Sequence, residues 1–207
     1  GKSTDSSVKI AKEFAEKVQV VSEKDSGIYD AMNKGIHLAS GEYIFFLNAG
    51  DRFWSKSSLS FLAEKGLRVS ADLIYGDVMF GNVFKSGNVK HRIQLVFRTI
   101  CHQGILSSRD YLRENPFDVT YRWLADYEWL IRAFSNKTVR RCYVNEIIAY
   151  YDPENRTELN RNDLKQQRLR ERRRIGEEYF RGFEKLLFKL NQNRLERKFS
   201  SDPIKAF

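Results

Sequence analysis

Asn48-Ala49-Gly50-Asp51 follows directly on the apolar run Tyr43-Ile44-Phe45-Phe46-Leu47. The pattern puts one carboxylate at the carboxyl end of a buried strand, where open α/β sheets bind their ligands. Gly50, with no side chain, lets a ligand or metal approach the backbone. A hard divalent cation holding a diphosphate favours an oxygen donor such as Asp51. A turn-forming aspartate would read the same way, so the residues leave a structural and a chemical role side by side. Asp25 lies in a second polar loop, Glu23 to Gly27, after another short apolar segment. Asp126 opens a helical pattern at Leu124-Ala125-Asp126-Tyr127-Glu128-Trp129. A carboxylate there can take a proton from a hydroxyl or simply complement the helix dipole. Lys34 can contact a phosphate or be one more solvated helix lysine. His102, taken alone, reads as a hydrogen-bonded structural histidine.

Several elements must position these groups. Ser3, Thr4 and Asp5 offer capping oxygens for a helix with Val8, Ala11, Phe14 and Ala15 on its apolar face. Val18 to Val21 reads as a strand. Ile28, Met32, Ile36 and Ala39 recur at helical spacing over 28–39 and should face a sheet. Strand, helix and strand in that order are the βαβ signature of parallel pairing. A helix from Ser57 or Ser58 to about Lys65 should stop at Gly66. Strands are expected at 72–80 and 89–96, with turns at Gly81-Asn82 and Ser86-Gly87-Asn88, and at 102–106. Helices follow at 108–114, broken by Pro116, and at 124–134, then strands at 139–143 and 147–151. The segment 160–197 is helical in composition. Its second half carries Phe183, Leu186, Leu187, Leu190 and Leu195 on one face, with Lys185, Lys189, Arg194 and Arg197 at polar positions.

The chain has 207 residues, 42% of them hydrophobic and 14% aromatic, which suits a folded core with an appendage rather than a disordered polymer. Two cysteines, Cys101 and Cys142, form neither a disulfide framework nor a zinc site and fit a reducing, cytoplasmic compartment. No apolar run approaches the ~20 residues of a membrane span. A Gly-rich phosphate loop and a nucleophile elbow are also absent. The net charge of +9 is uneven: residues 156–207 hold +7 of it and residues 1–155 only +2. Such asymmetry points to an anionic partner for the tail, a membrane surface or a nucleic acid. The Arg-rich stretch 164–175 contains no aromatic residue, whereas single-strand binders interleave basic and stacking side chains. Nucleic acid is therefore the weaker of those two readings.

The run SEKDSGIYDAMNKG, followed by FLNAGD at a strand end, resembles the core of family 2 glycosyltransferases. These are inverting enzymes of the GT-A nucleotide-sugar-binding fold, and the closest similarity is to the bacterial polysaccharide branch. The resemblance implies an α/β fold with a mostly parallel central sheet, a small antiparallel part and flanking helices. It covers Gly1 to about Tyr151, which gives a catalytic domain over 1–155 and a basic amphipathic helical extension over 156–207. Gly1-Lys2-Ser3-Thr4-Asp5 looks like the second half of the family's D-G-x-S-x-D turn. The first strand and helix of the sheet, roughly 30–40 residues and about one βαβ unit, would then precede this chain.

By the same resemblance, Asp51 is the metal-binding acid of the DxD-like motif, for Mg²⁺ or Mn²⁺. Asn48 and Gly50 stand where many relatives have acids. Asp126 is the base that takes the acceptor proton, with Ala125 in place of a preceding acid and Glu128 as an alternative two residues on. Asp25 helps hold the nucleotide, Asn33 and Lys34 lie near its diphosphate, and Asn48, Gly50 and His102 line the donor and acceptor side. The implied reaction moves a sugar, UDP-linked, to a glycan or polyprenyl-diphosphate-linked acceptor in bacterial surface polysaccharide synthesis. The tail either docks on the anionic inner face of the membrane or packs on the catalytic domain. The rival reading is a non-enzymatic nucleic-acid or anionic-surface module built on the Arg-rich helix.

Overall fold

A computed structural model describes residues 1–14, 16–152 and 162–201. Its centre is strand β3, Leu73–Phe80, whose first six residues are all buried. Along one edge β3 changes partner. Leu73 to Tyr75 pair antiparallel with β5, Ile105–Ser108, and Val78 to Phe80 pair antiparallel with the hairpin strand β4, Val83–Lys85. Along the other edge it runs parallel to β6, Arg141–Tyr151. Strand β1, Tyr43–Phe45, joins antiparallel to β5, and the short β2, Arg52–Phe53, joins antiparallel to β6. The order is β1-β5-β3-β6-β2, with β4 beside β3.

Side-chain alternation sends Leu73, Tyr75 and Ile105 into one core and Ile74 and Leu106 into another. The first core lies under α2 (Ile28–Leu38), α4 (Arg109–Glu114) and α5 (Ala125–Ser135). The second lies under α3, Ser58–Val69. The α/β class thus holds, but the sheet is mixed. Among the described strands only β3 and β6 pair in parallel.

That balance corrects the expected βαβ unit at the start of the chain. Residues 18–21 form no strand, because no described strand hydrogen-bonds them, and Val18 and Val21 are exposed. Helix α1, Ser7–Lys12, buries none of its residues, and Phe14 is exposed too; Ala15 lies outside the described residues. In α2 the buried face is Tyr29, Met32 and Ile36, one residue round from the expected Ile28. Helix α3 runs through Gly66, whose missing Cβ leaves room for Ile74, and ends at Ser70 in the left-handed conformation. Residues 89–96 are not a strand. Gln94 Oε1 accepts from the N–H groups of Lys90 and His91 at 2.7 and 2.9 Å and winds Arg92–Val96 into a 3₁₀ turn. His102–Gly104 is likewise a 3₁₀ turn, leading into β5. The two expected closing strands are one, β6, with an irregularity where it passes Asp77.

The tail forms two helices, α6 (Asn162–Tyr179) and α7 (Gly182–Ser201). Of the two glycines that could break it, Gly182 does so at φ 49°, while Gly176 stays helical against the Phe188 ring. The helices fold back on each other and insert Ile175, Phe180 and Phe188 into the core shared with α2, α4 and α5. Arg172 passes its guanidinium between the rings of Tyr127 and Phe188, 5.1 and 4.9 Å from their centroids. It also donates to the Val96 carbonyl at 2.8 Å. Of the expected apolar face, Leu187 packs against the core, whereas Phe183, Leu186 and Leu190 face solvent. Among the described residues no helix is long and apolar enough to cross a membrane.

Candidate active site

After β1 the backbone turns through Asn48 to Asp51. The Asp51 N–H donates to the Asn48 carbonyl at 3.0 Å, and Gly50 takes φ 89° as the third residue of the turn. That conformation is strained for any residue with a Cβ, so Gly50 shapes the loop that presents Asp51. One Asp51 oxygen accepts from Gln103 Nε2 at 3.0 Å.

The neighbouring residue, His102, holds the other candidate acid. Its Nδ1 lies 3.1 Å from Asp126 Oδ2, and its Nε2 lies 2.8 Å from Asn48 Nδ2. Since the Asn48 amide can only donate there, Nε2 accepts, and Nδ1 carries the proton toward Asp126. Tyr29 completes the arrangement from α2, its hydroxyl 2.8 Å from Asp126 Oδ1 and 3.1 Å from the Trp123 carbonyl. Consecutive side chains of one 3₁₀ turn therefore tie Asp51 to Asp126.

The electrostatics follow from this packing. Burial alone would raise the Asp126 carboxyl. The hydrogen bond from His102, the Tyr29 hydroxyl and the Tyr127 N–H outweigh it and hold the group below the usual carboxylate range. Burial and the adjacent Asp126 charge push the Tyr29 phenol well up, so it remains a donor. Asp126 keeps 21% of its side chain exposed. The result is a carboxylate that is ionised near neutrality, orientated from two sides and still reachable. Glu128, two residues on, is buried away from this network. It pairs with Arg132 at 2.7 Å and accepts from Tyr179 at 2.5 Å.

Asp25 and Lys34 form a separate cluster in an open groove lined also by Gly1, Val21, Gly35 and Leu38. Lys34 Nζ reaches Asp25 at 3.0 Å, Glu23 at 3.1 Å and Asp30 at 3.4 Å. The hydrogen bonds of Asp25 and Glu23 raise Lys34. Asn33 does not face this groove. It exchanges two hydrogen bonds with the Phe117 backbone, at 2.9 and 3.0 Å, which ties α2 to the segment before α5. His102 stands at Asp126, apart from the Asp25–Lys34 cluster. Helix α2 connects the two halves, with Tyr29 on one side and Lys34 on the other.

The donors fit a hard cation only in part. Asp51 supplies one carboxylate, and Asn48 and Gln103 supply amide oxygens on the same loops. Among the described residues no group of three or more His, Cys, Asp or Glu side chains could hold a metal ion. A set this small suits Mg²⁺ or Mn²⁺ shared with a diphosphate and water, and does not suit an all-protein cage. The parts that sequence reasoning did not assign are Tyr29 and Gln103 as holders of the two acids. Tyr29 lies inside a quoted motif and Gln103 beside His102, yet nothing local reveals contacts to residues 97 and 52 positions away.

Residues 1–147 match the family model described as Glycosyl transferase family 2. A "PGL/p-HBAD biosynthesis glycosyltransferase" of Mycobacterium bovis is 36% identical over 160 residues, covering 73% of this chain and 62% of that protein. A Mycobacterium tuberculosis protein of the same description matches equally. The chain thus spans about 62% of the length of these curated relatives. Among solved structures, S. aureus TarS 1-349 in complex with UDP superposes with a TM-score of 0.61 at 14% identity, over 99% of this chain and 62% of that one. A further TarS structure gives 0.62 at 15% identity, over 95% and 36%. At such identities the likeness is one of fold, and it agrees with the α/β, GT-A expectation.

Proposed function

The chain belongs to glycosyl transferase family 2, and from that premise we propose that it moves a sugar from a nucleotide sugar to an acceptor hydroxyl in one inverting displacement. The observation that carries this reading is the Asp126 carboxylate, held ionised between His102 and Tyr29 at the start of α5. Asp126 takes the proton as the acceptor oxygen bonds to the anomeric carbon. The bond from that carbon to the diphosphate breaks with its electron pair leaving on the phosphate oxygen. No covalent sugar–protein bond forms, so configuration inverts. His102 and Tyr29 orientate the base, and Asn48 fixes the His102 tautomer.

On the donor side, Asp25 holds the nucleoside and Lys34 turns from its carboxylate partners toward phosphate. The loop of Asn48, Gly50 and Asp51 borders the sugar diphosphate. Asp51 would hold Mg²⁺ or Mn²⁺, with Asn48 and Gln103 at its side. When bound, such an ion neutralises charge on the departing diphosphate. A UDP sugar is the favoured donor, supported by the UDP complex of the TarS neighbour. The acceptor is a glycan or a polyprenyl-diphosphate-linked sugar of a bacterial surface polymer, and the relatives named for PGL/p-HBAD biosynthesis leave a glycolipid within this class. A cytoplasmic enzyme touching the inner face of the membrane suits that acceptor. Phe183, Leu186 and Leu190 are exposed on α7, with Lys189, Arg194 and Arg197 also facing solvent, a composition that binds anionic bilayers.

The nucleic-acid alternative is weakened by where the arginines go. Arg172 stacks against the Tyr127 and Phe188 rings, Arg173 pairs with Glu196 at 2.7 Å, and Arg174 lies over the Tyr121 ring at 4.3 Å. A panel of nucleotide sugars with Mn²⁺, followed by anomeric analysis of the product, tests the main reading. Retained configuration, or full activity in both Asp126→Asn and Asp51→Ala, would overturn it. Flotation with anionic liposomes tests the membrane contact: a Leu186→Ser, Leu190→Ser double variant should lose it, and equal flotation removes the idea.

A further inference from the structure

The segment just before α5 is gripped from the tail. Glu171 of α6 accepts three backbone N–H groups in succession, from Arg122 at 2.8 Å, Trp123 at 2.9 Å and Leu124 at 3.0 Å. These belong to the residues entering a helix whose first turn carries Asp126. A carboxylate that gathers three such donors supplies both hydrogen-bond acceptors and negative charge at a helix N-terminus. One turn earlier, Gln167 Oε1 accepts from the Trp123 indole at 3.1 Å. Trp123 is therefore held on three sides: its N–H by Glu171, its indole by Gln167, and its carbonyl by the same Tyr29 hydroxyl that bonds Asp126.

Helix α6 is itself fixed. Ile175 lies in the core, Arg172 is sandwiched between two rings, and the Tyr121 hydroxyl donates to Glu178 at 2.7 Å. Arg168, between Gln167 and Glu171, is close enough for its charge to be coupled to Asp126 and Tyr29. An Arg-rich tail that only solvated the protein or met a membrane would not need an acid aimed inward at these N–H groups.

We propose that α6 is a positioning strut for the catalytic base, with Glu171 as the residue that sets the first turn of α5 and, through it, the placement of Asp126 against His102 and Tyr29. Glu171 touches no reacting atom. The inference rests on the reading of Asp126 as base, so its test includes a measurement independent of turnover.

In the full chain, imidazole ¹⁵N NMR of His102 should show a single neutral Nδ1–H tautomer, and Glu171→Ala should turn it into a mixture. With the nucleotide sugar that the wild type uses, Glu171→Ala should lower kcat roughly 10- to 100-fold, the scale of a misplaced catalytic group. The donor KM and UDP affinity should change less than about twofold, since the Asp25–Lys34 groove is elsewhere. Glu171→Asp should recover part of the loss, and Arg173→Ala, on the exposed side of α6, should cost nothing. An unchanged tautomer with kcat within about twofold of wild type overturns the strut. So does a fall in kcat and UDP affinity together that only tracks the unfolded fraction. If Glu171→Ala does not fold, Glu171→Gln, which keeps one acceptor oxygen, decides the matter by the same two measurements. Full activity in Asp126→Asn would instead overturn the base assignment, and the NMR result would still judge the strut.

Discussion

The two halves of the candidate site are built on opposite plans. Around Asp126, four segments far apart in sequence (α2, the 48–51 turn, the 102–104 turn and α5) meet in one largely buried network of directed hydrogen bonds. Around Asp25, charges from one short stretch of chain pair with one another in an open groove, where Lys34 remains 35% exposed. The first plan fixes geometry before a substrate arrives. The second leaves cations and anions that can exchange partners when a ligand brings its own charge. Proton transfer demands placement within hydrogen-bond reach, whereas gripping a flexible diphosphate tolerates adjustment. The contrast therefore matches the division of labour proposed for the two halves.

The sharpest way to break this comparison is Asp126→Asn. It should lower kcat by about 10²–10⁴-fold while UDP affinity, measured by calorimetry, stays within about twofold of wild type. Parallel losses in both would erase the distinction between the halves. The packing behind the fixed half predicts that Gly176→Ala, which forces a Cβ into the Phe188 ring, costs about 1–3 kcal/mol in chemical denaturation. In the adjustable half, Lys34→Ala should weaken UDP binding by roughly fivefold or less, as expected for a partly solvated charge, with kcat nearly unchanged.

The smallest effect should appear in pH dependence. Asp126 faces His102, Tyr29 and the charge of Arg168, and its carboxyl titrates below the ordinary range. Its native pKa is thus lower than its unfolded value, so it contributes stability that is fully present above about pH 3.9. That contribution is lost as pH falls through the lower folded value. His102→Ala removes the principal donor, so the acid limb of both stability and activity should move to higher pH. An acid limb that stays in place would show that His102 does not govern the ionisation of Asp126.

Much of the chain between β3 and α5 was legible because its periodicity and its surroundings agree. Ser108 caps α4, accepting from the Tyr111 N–H at 3.2 Å, Gly81 turns the β3–β4 hairpin, and α5 has the expected extent. Asp51 and Asp126 each sit at the end of a regular element, but their roles were singled out through the family motifs they fall in. The misreadings share one cause, which is that burial depends on partners that composition does not name. Phe14, Val18 and Val21 look like core and are exposed, while Arg172 and Lys165 look like surface and are largely covered. Glu171 was invisible for the same reason. It reads as one acid among arginines until the fold brings residues 122–124 to it.

The grip of Glu171 on Arg122, Trp123 and Leu124 also has a consequence in time. During synthesis the chain emerges from its amino end at about 5–20 residues per second. Every residue of the Asp51–Asp126 network is made before α6 exists. A nascent chain that stops short of Asn162 would hold its base, its histidine and its donor groove with nothing to clamp the entry to α5. If Glu171 is the strut proposed above, a chain halted between α5 and Asn162 should transfer sugar roughly 10- to 100-fold more slowly than one whose α6 has folded back, so the clamp ties the activity of the base to a segment made after it.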